Sequence, residues 1–256
     1  MPRLSQQLTK IKTSAIRRTS AWLALAKDRK DIVSFGGGAP SLPPPNELVD
    51  KLKEALNGPW RAVSYGGTRG SLDLREAIVR DLEKYGNVKL ESSDNILVTH
   101  GGTEGIFAAM VALVDPGDEV ILVDPTYLGY PEVLKIMNAK EVTLPVYVDE
   151  GFQPDIEVLK KKISKRTKAF VLLSPDNPTG RVIKKENAKA IVDLACDHDF
   201  WIICDDAYKH TVFEGNHCWV STLPGAEERT ITICSFSKEA SIPGLRLGYS
   251  YGPIEA

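Results

Sequence analysis

The stretch Thr230–Gly252, TITICSFSKEASIPGLRLGYSYG, opens on β-branched residues, turns through small hydroxyl residues around Lys238 and enters a second apolar run at Arg246. The first run reads as a buried strand, so Lys238 leaves its carboxyl end, an unusual place for a charge. Working outward, the runs NILVTH, EVILVD, EVTLPVYV, KAFVLLS and WIICDD precede it, each separated from the next by a helical stretch. With TITICS and RLGYSYG they make seven strands. Most are β-branched, alternate only weakly and end in Asp, Pro or Gly, as strands covered by helices on both faces do. The fold class is therefore α/β, a seven-stranded, mainly parallel sheet with helices on both faces. Ligands of such sheets sit beyond the carboxyl ends of the strands, which is where chemistry is to be sought.

With 256 residues, 43% hydrophobic and 26% charged, the chain can bury a sizeable core. A net charge of −2 attracts neither nucleic acid nor an anionic membrane surface, so a small molecule or another protein is the expected partner. Cys196, Cys204, Cys218 and Cys234 form no C-x-x-C pair, and no secretory segment opens the chain, which points to a reducing cytoplasm. Cys204 and Cys234 fall inside strand runs and read as inert buried thiols. The longest apolar run, Ile106 to Val114, is about half of the roughly 20 residues a bilayer span needs and reads as a buried helix. His100, His198, His210 and His217 lack metal-ligand spacing, and KKISKRTK reads as a solvated helix end, so no metal is expected.

Residues 1–45 read as an arm: a basic segment with helical spacing through AIRRTSAWLALAK, then Gly36, Gly37, Gly38 and PSLPPP, which break the pattern. Residues 46–256 form the main domain. It begins with the helix NELVDKLKEAL, the loop YGGTRG and the helix SLDLREAIVRDLEKYG, with Ser71 as its cap and Gly86 as its stop.

At the strand ends, HGGTEG offers Gly101, Gly102 and Thr103 before an apolar helix, whose free N–H groups make an anion site suited to phosphate. Tyr127 and Tyr130 follow a proline turn; rings there can stack on a planar ligand, although loop tyrosines more often pack. Asn177 sits in an N-P-T-G turn. Asp205 directly follows a buried strand, where a lone carboxylate is costly, and it wants a cationic partner. Lys238 is either a snorkelling surface lysine or a desolvated amine able to condense with a carbonyl. Ser235, Ser237 and Arg246 suit a phosphate. A lysine for an aldehyde, an aspartate for a ring nitrogen and a cradle for a phosphate are the complement of pyridoxal 5'-phosphate.

The ordered motifs YGGTRGSLDLREAI, HGGTEG, DPTY, NPTG, DDAY and SFSK…GLRLGY, spread over residues 31–252, resemble the fold-type I, class I/II aminotransferases. The resemblance implies that Lys238 holds pyridoxal 5'-phosphate as an internal aldimine and shuttles the substrate proton. It also implies that Asp205 pairs with the pyridine nitrogen and that Tyr127 stacks on the ring. Asn177 and Tyr208 lie by the ring hydroxyl. Gly102, Thr103, Ser235 and Arg246 take the phosphate, with Tyr65 reaching in from a neighbouring subunit, while Gly38 and Asn177 face the substrate. The catalytic set is then Lys238, Asp205 and Tyr208.

The implied activity is ping-pong amino transfer between an L-amino acid and a 2-oxo acid in a cytoplasmic homodimer of biosynthesis or amino acid metabolism. Neither nucleic acid nor membrane is an implied partner. Family members continue beyond the position of Ala256 into a small domain carrying the arginine that clamps the substrate carboxylate. That domain is expected to be absent here, leaving a cofactor half that transaminates poorly by itself. The rival readings are a pyridoxal phosphate lyase or synthase on the same scaffold, and a non-catalytic cofactor-binding module or fragment. No winged-helix pattern precedes residue 31, which counts against a transcription regulator.

Overall fold

Alternating side chains of the apolar runs face two different helix layers, and this makes the runs strands of one sheet. Val120 and Leu122 enter one core cluster while Ile121 and Val123 enter another; Ala169 and Val171 likewise part from Phe170 and Leu172. The strands are β1 (Ile96–Thr99), β2 (Glu119–Asp124), β3 (Lys140–Pro145), β4 (Thr167–Leu173), β5 (Trp201–Asp205), β6 (Thr230–Ser235) and β7 (Gly248–Tyr251). Their order is β1-β7-β6-β5-β4-β2-β3, with β7 antiparallel to both neighbours and the other pairings parallel. All seven expected strands are present. This computed structural model describes residues 37–256 throughout and, before them, residues 2–3, 5–7, 9, 11, 13, 15–25, 29 and 31–33.

The helices are α1 (Ala15–Leu25), α2 (Asn46–Asn57), α3 (Leu72–Gly86), α4 (Gly101–Leu113), α5 (Gly129–Met137), α6 (Ile156–Lys162), α7 (Lys185–His198) and the single turn α8 (Phe236–Glu239). α6 and α7 cover one sheet face through Leu159, Ile191, Val192 and Ala195, while α4 and α5 cover the other through Ile106, Met110, Tyr130 and Leu134. α3 closes the β1–β7 end with Ile78 and Leu82. The arm helix is present as α1; Ala26, Lys27 and Gly36 lie outside the described residues. None of the described helices is long and apolar enough to cross a membrane.

Two local expectations need correcting. Ser71 caps α3 as expected, its Oγ accepting from the Leu74 N–H, but Gly86 does not stop the helix. Gly86 is its last residue and is glycine because the Trp219 ring lies 2.5 Å from where a Cβ would stand; the stop is Asn87, in the left-handed region at φ 51°. α4 is buried along one stripe only. It lies on the sheet through Ile106, Ala109, Met110 and Leu113, which leaves Phe107 and Val111 exposed on its far side.

At the amino end of β2 the buried Glu119 accepts from Lys140, Arg166 and Ser164, and these bonds hold its pKa down to about 2. At the opposite end Gly248 pairs with Thr99 on one side and Ser235 on the other. A Cβ on Gly248 would stand 2.7 Å from the Gly101 carbonyl carbon, 2.8 Å from the Cys234 oxygen and 2.9 Å from the Gly102 nitrogen, all backbone atoms with little freedom to yield. Gly248→Ala is therefore expected to destabilise the chain by about 1–3 kcal/mol in urea unfolding. Gly66→Ala, where nothing lies within 4 Å of the added carbon, serves as the neutral control.

Candidate active site

The carboxyl ends of β4, β5 and β6, the start of α4 and the loop at Gly38 surround one cleft of about 320 Å³. Ten of the eleven residues that the resemblance assigns to the site line it: Gly38, Gly102, Thr103, Tyr127 and Asn177 from the loops and α4, with Asp205, Tyr208, Ser235, Lys238 and Arg246 from the β5–β7 side. The eleventh, Tyr65, lies fully exposed and away from it.

Asp205 forms the floor. It ends β5 in the middle of the sheet and is 5% exposed. The expectation of a cationic partner is not met by the described residues: Oδ2 accepts from the Tyr130 hydroxyl at 2.7 Å and Oδ1 from the Ala207 N–H at 3.0 Å. Two neutral donors do not offset the loss of water, and burial pushes the carboxyl up to about 6. Tyr130 was read in the sequence only as a loop aromatic. Its position in the first turn of α5 sends the ring into the core, fully buried, where its hydroxyl holds Asp205. Tyr127 stands edge-on to Tyr130, with centroids 5.4 Å apart. Gly129 makes room for that ring, since a Cβ there would lie 2.4 Å from Tyr127 Cε1.

Lys238 follows β6 in the α8 turn, and its half-buried amine donates to the Gly38 carbonyl oxygen and stands 5.7 Å from the centre of the Tyr208 ring. Burial lowers its basicity, and neutral amine is the nucleophilic form. Asn177 Nδ2 donates to the Tyr208 hydroxyl at 3.4 Å. The loop carrying Asn177 is more than a turn. Asp176 and Arg181, both buried, pair at 3.6 Å across it; Asp176 Oδ2 accepts from the N–H and hydroxyl of Thr179, and Arg181 donates to the Leu173 carbonyl. The sequence reading missed this pair, whose signal was two opposite charges flanking N-P-T-G.

The far end of the cleft is an anion cradle. The 13-residue helix α4 presents its first N–H groups beside Ser235 and Arg246. Gly101, at φ +73°, is in the left-handed region that favours glycine, and a Cβ there would also stand 2.6 Å from Arg246 Nη2. Arg246 is fixed by donating to the Pro243 carbonyl at 2.8 Å and to Ser237 Oγ at 3.4 Å. Ser237, whose hydroxyl suits a phosphate but which the resemblance leaves without a role, thus steadies the guanidinium. Cation, hydroxyls and helix amides line the same cleft as the Lys238 amine and the buried acid Asp205. Among the described residues no group of His, Cys, Asp or Glu could hold a metal ion.

The folded pKa of Asp205 lies above the unfolded value of about 4, so its contribution favours folding at low pH and is lost as pH rises through about 6. Without added ligand, Asp205→Asn is accordingly expected to be more stable than the parent, by a margin that grows by about 1–2 kcal/mol from about pH 5 to about pH 8. Urea unfolding at both pH values measures it, and a margin that does not change with pH would contradict the buried-charge account.

Residues 30–256 match the family model described as aminotransferase class I and II. The aspartate aminotransferase of Pyrococcus abyssi is 33% identical over 98% of this chain and 63% of its own length. The probable aspartate/prephenate aminotransferase of Thermus aquaticus is 35% identical over 98% of this chain and 64% of its own. The solved aspartate aminotransferase of Thermus thermophilus with maleate superposes with a TM-score of 0.93 at 33% identity, covering all of this chain and 66% of that one. The chain thus spans just under two thirds of the length of the relatives it matches. It belongs to the class I and II aminotransferase family.

Proposed function

We propose that the chain is the cofactor-binding part of an aminotransferase that uses pyridoxal 5'-phosphate to pass an amino group from an L-amino acid to a 2-oxo acid in a ping-pong sequence. The observation that carries this reading is Asp205, a buried carboxylate without a cationic partner among the described residues, in one cleft with a half-desolvated amine and an anion cradle. The donor set fits the cofactor. Lys238 Nζ would take its aldehyde carbon, Asp205 would hold its ring nitrogen protonated, and Tyr127 would lie against its ring. Asn177 and Tyr208 would bond its ring hydroxyl, and Gly102, Thr103, Ser235 and Arg246 would bind its phosphate. When bound, pyridoxal phosphate supplies an electron sink that lets the Cα–H bond of an amino acid break.

The work left to the chain is to place groups and move a proton. Lys238 Nζ, held near Gly38 and Tyr208, accepts the proton from the substrate α-carbon and returns it elsewhere. Asp205 keeps its charge once a cation faces it, and a preorganised charge in a dry site is where electrostatic catalysis is strongest. Gly38 and Asn177 line the cleft and are proposed to face the substrate. Tyr65, fully exposed, is proposed to reach the cleft of a second copy, which makes the assembly a homodimer. Residues 1–45 are then the arm and substrate-side loop, and 46–256 the cofactor-binding domain. The four free cysteines suit the cytoplasmic location included in this reading.

The test is capture of the cofactor. Pyridoxal phosphate added to the chain should raise an absorption band in the near ultraviolet or visible, and borohydride should fix the added mass on Lys238 in a peptide map. Lys238→Ala should abolish that adduct; an adduct that persists would remove the central assignment. A screen of L-amino acids against 2-oxoglutarate then defines the substrate class. In the whole aminotransferase of which the chain is proposed to be a part, Asp205→Asn should lower turnover by about 100-fold or more. Release of ammonia in place of amino transfer would assign the scaffold to a lyase.

A further inference from the structure

The sheet ladder does not reach the chemistry. The last backbone bond joining the β5 and β6 segments is from the Asp206 N–H to the Ile233 carbonyl, after which the two segments part to form the cleft. Tyr208 lies beyond that point on one side and Lys238 on the other, so side chains must set the gap between them. Lys209 follows Tyr208, and Glu239 follows Lys238. While Tyr208 and Lys238 line the cleft, Lys209 and Glu239 turn away behind it and meet at 2.6 Å, with side chains 1% and 16% exposed. We infer that the Lys209–Glu239 ion pair is a positioning device that fixes the Lys238 amine against the Tyr208 ring. The inference rests on the proposed role of Lys238, but its geometry is independent of any cofactor.

The surroundings keep the pair in one arrangement. Lys209 Nζ lies 5.5 Å from the centre of the Tyr249 ring, so the chain of β7 backs it from below. Its backbone N–H bonds the Asp206 carbonyl, tying it to the same turn as Asp205. Glu239 Oε2 also faces His210 Nε2 at 3.4 Å, and Cys234 and Asp206 are the other titratable groups that act on Lys209. Both partners sit in the residue next to a cleft group, so a displacement of the pair moves the amine or the ring directly. A buried ion pair is a poor source of net stability compared with apolar residues of the same volume, but it holds one geometry.

Competitive acetylation of the cofactor-free chain, read by mass spectrometry across pH, reports the basicity and access of Lys238 itself. The variant Lys209→Met/Glu239→Leu removes both charges and keeps the interior filled; Glu239→Gln, which keeps shape, is the second probe. Freed from the pair, Lys238 should swing toward water, and its labelling midpoint should rise by about half a pH unit, about a threefold change in free amine. Glu119→Gln, which breaks the buried cluster at the opposite end of the sheet, lowers the melting temperature as a control and should leave the Lys238 profile alone. A folded double variant with the parent's Lys238 profile would overturn the inference, as would an equal shift in Glu119→Gln. If the parent fails to bind pyridoxal phosphate, the proposed function falls, while the acetylation profile still decides the role of the pair.

Discussion

A carboxylate buried at the end of a central strand, with no cation paired to it among the described residues, is the constraint around which the cleft is organised. The chain shows that it can satisfy a buried acid: Glu119, at the other end of the sheet, is held by Lys140, Arg166 and Ser164 and drops to about 2. Among the described residues Asp205 receives a tyrosine hydroxyl and one amide, and it rises to about 6. Both residues are 5% exposed or less, but Asp205 lies deep in the interior, where the loss of water dominates, whereas Glu119 lies near the surface, where its three partners dominate. A group left short of charge compensation beside an open cleft is a demand for an external cation, whereas the same group at the closed end of the sheet would be a defect.

The anion end is built by close backbone approach. Gly248 lets β7 meet the Gly101–Gly102 turn, and Gly101 in turn leaves space for the Arg246 guanidinium. Arg246 itself takes a left-handed conformation, φ 53°, and its side chain is tied back to Pro243 and Ser237. Three strands, β1, β6 and β7, therefore share responsibility for one cradle, with the antiparallel β7 inserted between the two parallel neighbours.

The architecture was legible because it depends on patterns that a single chain carries: β-branched runs for strands buried on both faces and glycine-rich turns at their ends. Most of the lining residues were legible because they stand at strand ends within motifs, whereas Gly38, in the arm before the first strand, came from the resemblance alone. What escaped is what depends on direction and distance. Tyr130 looked like a second loop aromatic, and only the first turn of α5 reveals that its hydroxyl reaches Asp205. Gly86 resembled a helix stop, yet it is the Trp219 ring, far along the chain, that requires a glycine there. α4 was read simply as a buried helix, because its composition cannot tell which stripe meets the sheet. The pairs Asp176–Arg181 and Lys209–Glu239 were invisible as pairs, since charge partners across a loop leave no period in the sequence.

Those two pairs share a logic. Each lies beside a cleft residue, Asn177 in one case and both Tyr208 and Lys238 in the other, and each is buried at a place where the β-ladder has already ended. Apolar side chains could fill such positions at no loss of stability, but they slide over one another easily, because dispersion has little directional preference. Charged groups at fixed separation resist such sliding. A sheet supplies rigidity as far as its hydrogen bonds extend, and beyond them the site needs another source of order. Here ion pairs turned away from the cleft supply it, so that the polar groups inside the cleft remain free to face a ligand.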